Sequence, residues 1–434
     1  MVKEGEAVKN KKKSSIGRAG ESKGMTRRDF AKTSAIASFA ILSSKSGVAE
    51  TNVDTLKVGL IGCGGRGTGA AINILESDNN VKLIAMADMF QDRLDGARQR
   101  IANADNPKVK SKFAVEDELC FVGVDAYKKI VATDVDIILE CTPPYSRPKH
   151  IEAAVEAKKH IFTEKPAGVD PVGIRRFMAA AKKHKEMGLS LVAGTQRRHE
   201  RPYIETVKKI QDGAIGEIIA LRAHWCGSLP FAHERREGMS DLEYRLRNWY
   251  NYCWACGDNI VEQHVHNLDV CNWLMGGPPR NVLASGGRAW KPNLEKYGDI
   301  FDHFSCEFEY PNGVRMWSFS RHWYGSTNSV LETVYGTKGK SNCVDMGEGG
   351  INPYVQEHID LVNSITGSGP YCHEGQRVAE STMTAIMARM SAYTGQRLSF
   401  SGALETDLSI GPDVLDFSLE YPVGPVPKPG GPRD

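Results

Sequence analysis

The chain has 434 residues, 41% hydrophobic and 25% charged, a length that suits two domains and a composition that suits a soluble globular protein. Lys plus Arg number 55 against 53 for Asp plus Glu, so no basic field gathers a polyanion and nucleic acid is not an expected partner.

The N-terminus reads as an address. Arg27 and Arg28 precede AKTSAIASFAILSS, a weakly apolar run of small residues, which resembles a twin-arginine export signal. The run from Phe30 to Leu42 is too short to span a bilayer and Lys32 interrupts it, so membrane insertion is not expected. Small residues at Gly47, Val48 and Ala49 suit a signal peptidase, and Met25 is an alternative start. Residues 1–50 are therefore assigned to a polar extension plus signal, and the mature protein is expected in the periplasm or otherwise outside the cytoplasm.

Residues 55–195 read as a nucleotide-binding domain. LKVGLI, residues 56–61, is a short apolar run expected to be a buried strand. It leads into Gly62-x-Gly64-x-x-Gly67 and then a helical pattern at Ala70, Ile74 and Leu75. In a strand–loop–helix unit of this kind the first glycine allows the tight turn, the second lets backbone approach a pyrophosphate, and the third lets helix and strand pack closely. A second strand, VKLIAMAD, ends at Asp88, 21 residues past Gly67. A carboxylate there can accept the ribose hydroxyls of NAD and repels a 2′-phosphate, although Arg93 keeps NADP open. The strand within VDIILECTPPYSRPKH (135–150), its proline-broken loop and a following helix come next. HIFTEKP (160–166) then places Glu164 and Lys165 at a strand end, where open α/β sheets bind ligands.

Ten cysteines are scattered along the chain. Cys63 in the glycine loop and Cys141 at a strand end suit free buried thiols. Cys253 and Cys256 have redox or zinc spacing but no matching second pair, and are expected to be structural.

The ordered set of motifs resembles the Gfo/Idh/MocA oxidoreductase family from about Leu56 to about Phe400. It comprises the glycine fingerprint, CTPP (141–144) with His150 downstream, EKP (164–166), GTQRR (194–198), GAIGEI (213–218), GTKG (336–339) and SAYTG (391–395). The resemblance implies an N-terminal Rossmann domain and, over 196–434, an α+β substrate and oligomerisation domain with a large open, mostly antiparallel sheet. GEIIALRAHW, HFSCEFEY and GVRMWSFSRHW agree with such a sheet, with Asn312-Gly313 as a hairpin signal. The implied cofactor is NAD, with NADP less favoured. Its contacts fall on Gly62, Gly64, Gly65, Arg66, Gly67, Asp88 and Arg93, on Thr142, Pro143, Pro144 and His150, and on Glu164, Lys165, Gln196 and Arg197.

GDNIVEQHVHNLD (257–269) carries two histidines and three carboxylates. Apolar residues at Val261, Val265 and Leu268 have helical spacing, which predicts one helix with Glu262, His266 and Asp269 on a shared face. His264 points elsewhere, so three metal ligands do not converge and no metal is expected. The resemblance places an acid, a histidine and an aspartate on Glu262, His266 and Asp269. With Lys165 it implies a proton-handling set of Lys165, His266 and Glu262. In that reading His266 takes a proton from a secondary hydroxyl, Lys165 stabilises the developing alkoxide, and Glu262 orients the ring or the substrate. Glu262 and His264 depart from the family's usual aspartate and small residue, and His264 is expected to narrow the pocket or meet the substrate.

Trp249, Tyr250 and Tyr324, with nearby polar groups, suit the C–H faces and hydroxyl edges of a sugar. With Lys165, Glu262, His264 and His266 they form the expected substrate set. The expected activity is NAD-dependent oxidation of a secondary hydroxyl of a sugar, glycoside or cyclitol. The alternative is an NAD-dependent glycoside hydrolase that oxidises, eliminates, hydrates and reduces with recycled NAD. A non-catalytic NAD-holding partner subunit is a third reading. A homo-oligomer is expected.

Overall fold

The computed structural model describes residues 55–430, so the export reading of Arg27 and Arg28 lies outside the described residues. The first sheet has six strands, β1 (Leu56–Ile61), β2 (Val81–Asp88), β3 (Cys120–Val122), β4 (Ile137–Glu140), β5 (His160–Thr163) and β6 (Leu191–Ala193), in the order β3-β2-β1-β4-β5-β6. Every pairing is parallel. Val58, Leu60, Ile137, Ile138, Leu139 and Phe162 are fully buried, because helices cover both faces of a parallel sheet and each strand must be apolar throughout. Strand order reverses between β1 and β4. That is the crevice where a doubly wound sheet accepts a ligand. The helices α1 (Gly65–Glu76), α2 (Arg147–Glu156) and α3 (Pro171–Glu186) belong to this half.

The second sheet has seven strands, β7 (Ile218–Gly227), β8 (Asn281–Gly287), β9 (His303–Glu309), β10 (Arg315–His322), β11 (Ser329–Gly336), β12 (Gly339–Ser341) and β13 (Leu398–Ser399). The order is β12-β11-β7-β10-β9-β8-β13. Only β7 and β10 run parallel; the other pairs are antiparallel. A tight turn at Asn312-Gly313 joins β9 to β10, with Gly313 at φ 85°. Buried Met316, Ser318 and Ser320 alternate with exposed Trp317 and Phe319 on β10, so one face packs inward and the other stands open.

Helices α4 (Asn259–Glu262) and α5 (Val265–Met275) line the inner face, and α7 (Gly375–Thr394) packs on β8 and β9. Between them in sequence, α6 (Pro353–Thr366) returns to the first sheet. Its Leu361 and Val362 join the core of Val58, Leu60, Phe162 and Val192. The nucleotide half is thus completed by a helix that follows six of the seven strands of the second sheet. Among the described residues no helix is long and apolar enough to cross a membrane.

The single helix expected from Val261 onward is split between two helices. Asp258, at φ 76°, caps α4 through Asn259 N–H and also accepts from Phe301 N–H and the Tyr393 hydroxyl. The chain loosens at Gln263–His264, where His264 N–H reaches back to Asn259 O at 3.3 Å. Nearly every residue of α5 is buried, polar ones included, so apolar spacing could not reveal which face met what.

Candidate active site

The glycine loop shapes one end of a cavity of about 1240 Å³. Gly62 sits at φ 94°, and a Cβ there would lie 2.8 Å from the Cys141 carbonyl carbon and the Thr142 nitrogen. A Cβ on Gly67 would lie 1.8 Å from Gly62 O, so only glycine permits this approach of helix to strand. Gly64 and Gly65 have nothing within 4 Å of a built Cβ and both line the cavity. The N-terminus of α1 carries no side-chain cap and no acid in its first turn. Bare backbone amides at a positive helix end fit a pyrophosphate.

Asp88 lines the same cavity at the end of β2. Its carboxylate accepts from Cys63 N–H at 2.7 Å and Phe90 N–H at 2.8 Å. Burial raises its pKa, and these two bonds counter only part of the rise. Arg93 lines the cavity nearby. Thr142, Pro143 and His150 also line it. The Thr142 hydroxyl donates to Glu140, and His150 Nδ1 is 2.9 Å from Glu140 Oε1 while its ring stacks on Tyr127. Pro144 does not belong to this set. It is buried at the start of a 3₁₀ turn, away from the lining. Arg147, which sequence reasoning missed, braces this wall by donating to Pro166 O and Thr142 O, each at 2.6 Å.

At the other end Lys165 and Glu262 meet. Lys165 Nζ lies 3.0 Å from Glu262 Oε2 and 3.2 Å from Oε1, and also donates to the Glu262 carbonyl. Burial raises the Glu262 pKa, against the lowering effect of Lys165 and Arg147. Glu164 does not pair with its neighbour's ammonium. It accepts from Arg66 Nε at 2.6 Å and from Lys165 N–H at 3.2 Å. Arg66 also lies over the Tyr354 ring, 4.8 Å from its centre, and Tyr354 lines the cavity.

His266 lines the same cavity as this pair. Its ring stacks on Trp225, with centroids 5.9 Å apart, and its Nδ1 is buried without a hydrogen-bond partner. Burial holds its pKa well below the ordinary imidazole range, and the Lys165, Arg197 and Arg66 charges push the same way. Glu262, expected to orient the ring or the substrate, is committed elsewhere, as is Asp269. Glu262 binds Lys165, and Asp269 accepts from Arg198 Nε at 2.7 Å, Arg377 Nη1 at 3.1 Å and the Ser381 hydroxyl at 2.7 Å. Burial alone would raise Asp269, but the two guanidiniums hold its pKa below the usual carboxylate value. Gln196 Oε1 is a second buried cavity atom without a partner. Arg197 lines the wall while paired to Glu332. Unpartnered polar atoms beside an indole fit a ligand with several hydroxyls and apolar C–H faces.

Three expected substrate residues stand outside the cavity. His264 is fully buried, with Nε2 2.6 Å from the Ser318 hydroxyl and its pKa pushed down to about 3 by burial. The loosened turn swings it toward β10, so it supports the sheet contact. Tyr250 is 1% exposed and packs on Phe231, Trp249 and His322. Tyr324 is exposed, but its hydroxyl donates to Leu229 O and its ring packs on Trp290, away from the lining. Trp249 does line the cavity. Sequence reasoning missed Trp225, Phe231 and His233, which line it too, and residues 409–415, most of which do. Trp225 was visible as the last aromatic of GEIIALRAHW; the tail bore no motif. Among the described residues no group of three His, Cys, Asp or Glu gathers as a metal site. All ten cysteines are free.

Comparison with known proteins agrees with this geometry. The sequence model for an oxidoreductase family with an NAD-binding Rossmann fold matches residues 56–191. That for a GFO/IDH/MocA C-terminal domain matches residues 203–341. The chain belongs to the Gfo/Idh/MocA family. A myo-inositol 2-dehydrogenase of Thermotoga maritima is 25% identical over 245 residues, 56% of this chain and 62% of that protein. A 2,7-anhydro-N-acetylneuraminate hydratase of Escherichia coli is 26% identical over 258 residues, 56% of this chain and 62% of that one. The matches therefore span less than two thirds of these relatives. The crystal structure of scyllo-inositol dehydrogenase from Lactobacillus casei with bound NAD(H) and scyllo-inositol superposes with a TM-score of 0.62 at 19% identity. It covers 80% of this chain and 100% of that one, a likeness of fold. As a Gfo/Idh/MocA member the chain pairs a Rossmann sheet with a mixed, mostly antiparallel sheet, and the cavity walls come from both.

Proposed function

We propose that the protein oxidises a secondary hydroxyl of a sugar, glycoside or cyclitol with NAD as hydride acceptor. The observation that carries this reading is the Lys165–Glu262 pair set beside the unpartnered His266 ring, in the cavity that begins at the bare glycine loop. The loop amides and Asp88 would hold the dinucleotide. When bound, NAD supplies the hydride-accepting ring. The chain's own groups handle the proton. His266, kept neutral by burial, accepts it from the substrate hydroxyl as general base. Lys165, fixed by Glu262, donates a hydrogen bond to the same oxygen as negative charge develops. Trp225 and Trp249 offer flat apolar surfaces to the ring C–H groups, and Gln196 offers a hydrogen-bond acceptor to a neighbouring hydroxyl. A panel of cyclitols, aldoses and glycosides, assayed by reduced-nicotinamide absorbance, tests the reading. Turnover of none, with NAD demonstrably bound, overturns it.

A second reading is glycoside cleavage or hydration without net redox. Its support is the relative that carries the name of a hydratase and the same Lys165 and His266 arrangement. Product formation without added NAD and without net nicotinamide reduction distinguishes it. Export through the Arg27/Arg28 signal and homo-oligomerisation belong to the proposal as well. The first is supported by the pattern that follows the arginines, the second by Trp317, Phe319 and Leu283 on the open face of the second sheet.

A further inference from the structure

After α7 and β13 the chain does not stop at the sheet. From Glu405 to Gly430 it runs without helix or strand, and Ser409, Gly411, Pro412, Asp413, Val414 and Leu415 form part of the cavity wall. This stretch is fastened to both halves of the molecule. On the nucleotide side Arg175 Nη1 donates to Leu404 O at 2.6 Å and also to Thr406 O. Ile410 N–H donates to Asp170 Oδ2 at 3.0 Å, and the Tyr145 hydroxyl donates to Pro412 O. Gly411 lies flat on the Tyr145 ring, where a Cβ would come within 1.9 Å. Phe417 meets the edge of Phe90 at 6.2 Å, two residues beyond Asp88. On the substrate side Tyr421 N–H donates to Asp241 Oδ2 at 3.0 Å. Ile410, Leu415 and Tyr421 pack on the cluster of Leu242, Tyr244 and Trp254. The Tyr421 hydroxyl donates to Val414 O at 2.8 Å and accepts from Asp416 N–H, which fixes the turn that holds Leu415 inward. A second tie closes the same end: Arg247 grips Asp92 with both terminal nitrogens, at 2.9 and 2.8 Å, and lies over the Phe90 ring.

We propose that residues 405–430 form a strap across the adenosine end of the cofactor cavity, which slows escape of the dinucleotide. The inference rests on the NAD reading above and deepens it. An adenosine seated at Asp88 leaves only when the contacts of Phe417, Leu415 and Tyr421 part together. Those contacts join elements from opposite halves of the chain, so local fraying of the Rossmann loops does not release it. The strap supplies no group to Lys165 or His266, and its loss acts on exchange, with the proton-handling residues left in place.

The test loads the full-length protein with NADH and follows loss of bound-NADH fluorescence after a chase with excess NAD. The expected release is slow, and in net oxidation no turnover outruns it. The double variant Phe417→Ala/Tyr421→Ala, whose side chains lie outside the cavity lining, should release NADH at least tenfold faster. An unchanged release rate in a folded variant overturns the strap. Should the variant not fold, hydrogen exchange of the unaltered protein decides. Slowed exchange across 405–430 on adding NADH supports the strap, and equal exchange overturns it. Failure of the protein to bind NADH at all overturns the cofactor reading itself, an outcome distinct from binding with fast release.

Discussion

Lys165 and Glu262 come from opposite halves of the chain and hold each other by three contacts, two to the carboxylate and one to the backbone carbonyl. The pair ties the end of β5 to the end of α4, so the Rossmann half and the second half share a buried charge pair in the wall of the cavity. Removing one partner leaves the other charge buried alone, which costs roughly 3–5 kcal/mol. Glu262→Ala should therefore lower the unfolding midpoint clearly. The double variant Lys165→Met/Glu262→Leu should regain much of that stability while remaining inactive. Denaturant titration of the set checks this; equal stability of Glu262→Ala and wild type contradicts the pairing.

His266→Ala should lower kcat by roughly two to four orders of magnitude, the usual contribution of a general base, with NADH affinity nearly unchanged. Because burial depresses the His266 pKa, the neutral base persists as pH falls. The acid limb of the kcat profile assigned to His266 should lie below the ordinary imidazole range. A limb centred near 6.5 that disappears in the variant would refute this. Exhaustive chelation should leave the rate as it was.

Asp88 should make NAD bind at least tenfold more tightly than NADP, about 1.4 kcal/mol. Fluorescence titration with the two reduced cofactors measures it. Asp88→Ala should narrow the gap chiefly by weakening NADH, and equal affinities in the unaltered protein would remove Asp88 from the selection.

Buried histidines set an acid limit on stability. His264 and His322 are pushed down to about 3 by burial, while an unfolded imidazole titrates near 6.5. Between those values the unfolded chain binds protons that the folded one does not, so this stability is present above about pH 6.5 and is lost as pH falls. Each such group contributes up to roughly 1.4 kcal/mol per pH unit in that window. His199 works oppositely: Glu374 and Asp360 overcome the effect of burial and raise it to about 10, so its contribution is full below 6.5 and fades toward 10. Thermal unfolding at pH 7.5 and 5.0 should show a lower midpoint at 5.0, and His264→Asn should shrink the difference.

Replacing Arg27 and Arg28 together by Lys should retain the protein in the cytosol of an expressing bacterium. Fractionation with blotting measures it, and normal periplasmic yield of the double-Lys variant rules the signal out.

What sequence could and could not convey follows from the forces involved. The glycine fingerprint, Asp88 and Lys165 were legible because local backbone geometry confines their chemistry to fixed spacings. The broken helix at Gln263–His264 was not. Its cause is long-range, the pull of His264 to Ser318 and of Glu262 to Lys165, and in a segment buried all round apolar periodicity loses its meaning. The partners of Asp269 were hidden for the same reason, since Arg198 and Arg377 reach it from distant elements. The tail over the cavity has no periodic pattern at all, and only its contacts with Tyr145 and Phe90 show where it lies.

Helix α6 also bears on the order in which the protein is made. Leu361 and Val362 seal a core whose other members end at Val192, so when a ribosome has released the first six strands the lid of their hydrophobic layer is still untranslated, more than a hundred residues downstream. Until that helix emerges, the nascent Rossmann half presents an oily strip to chaperones rather than to water. Its cofactor crevice therefore matures only once nearly the whole polypeptide is available, and export in the folded state would follow that last closure.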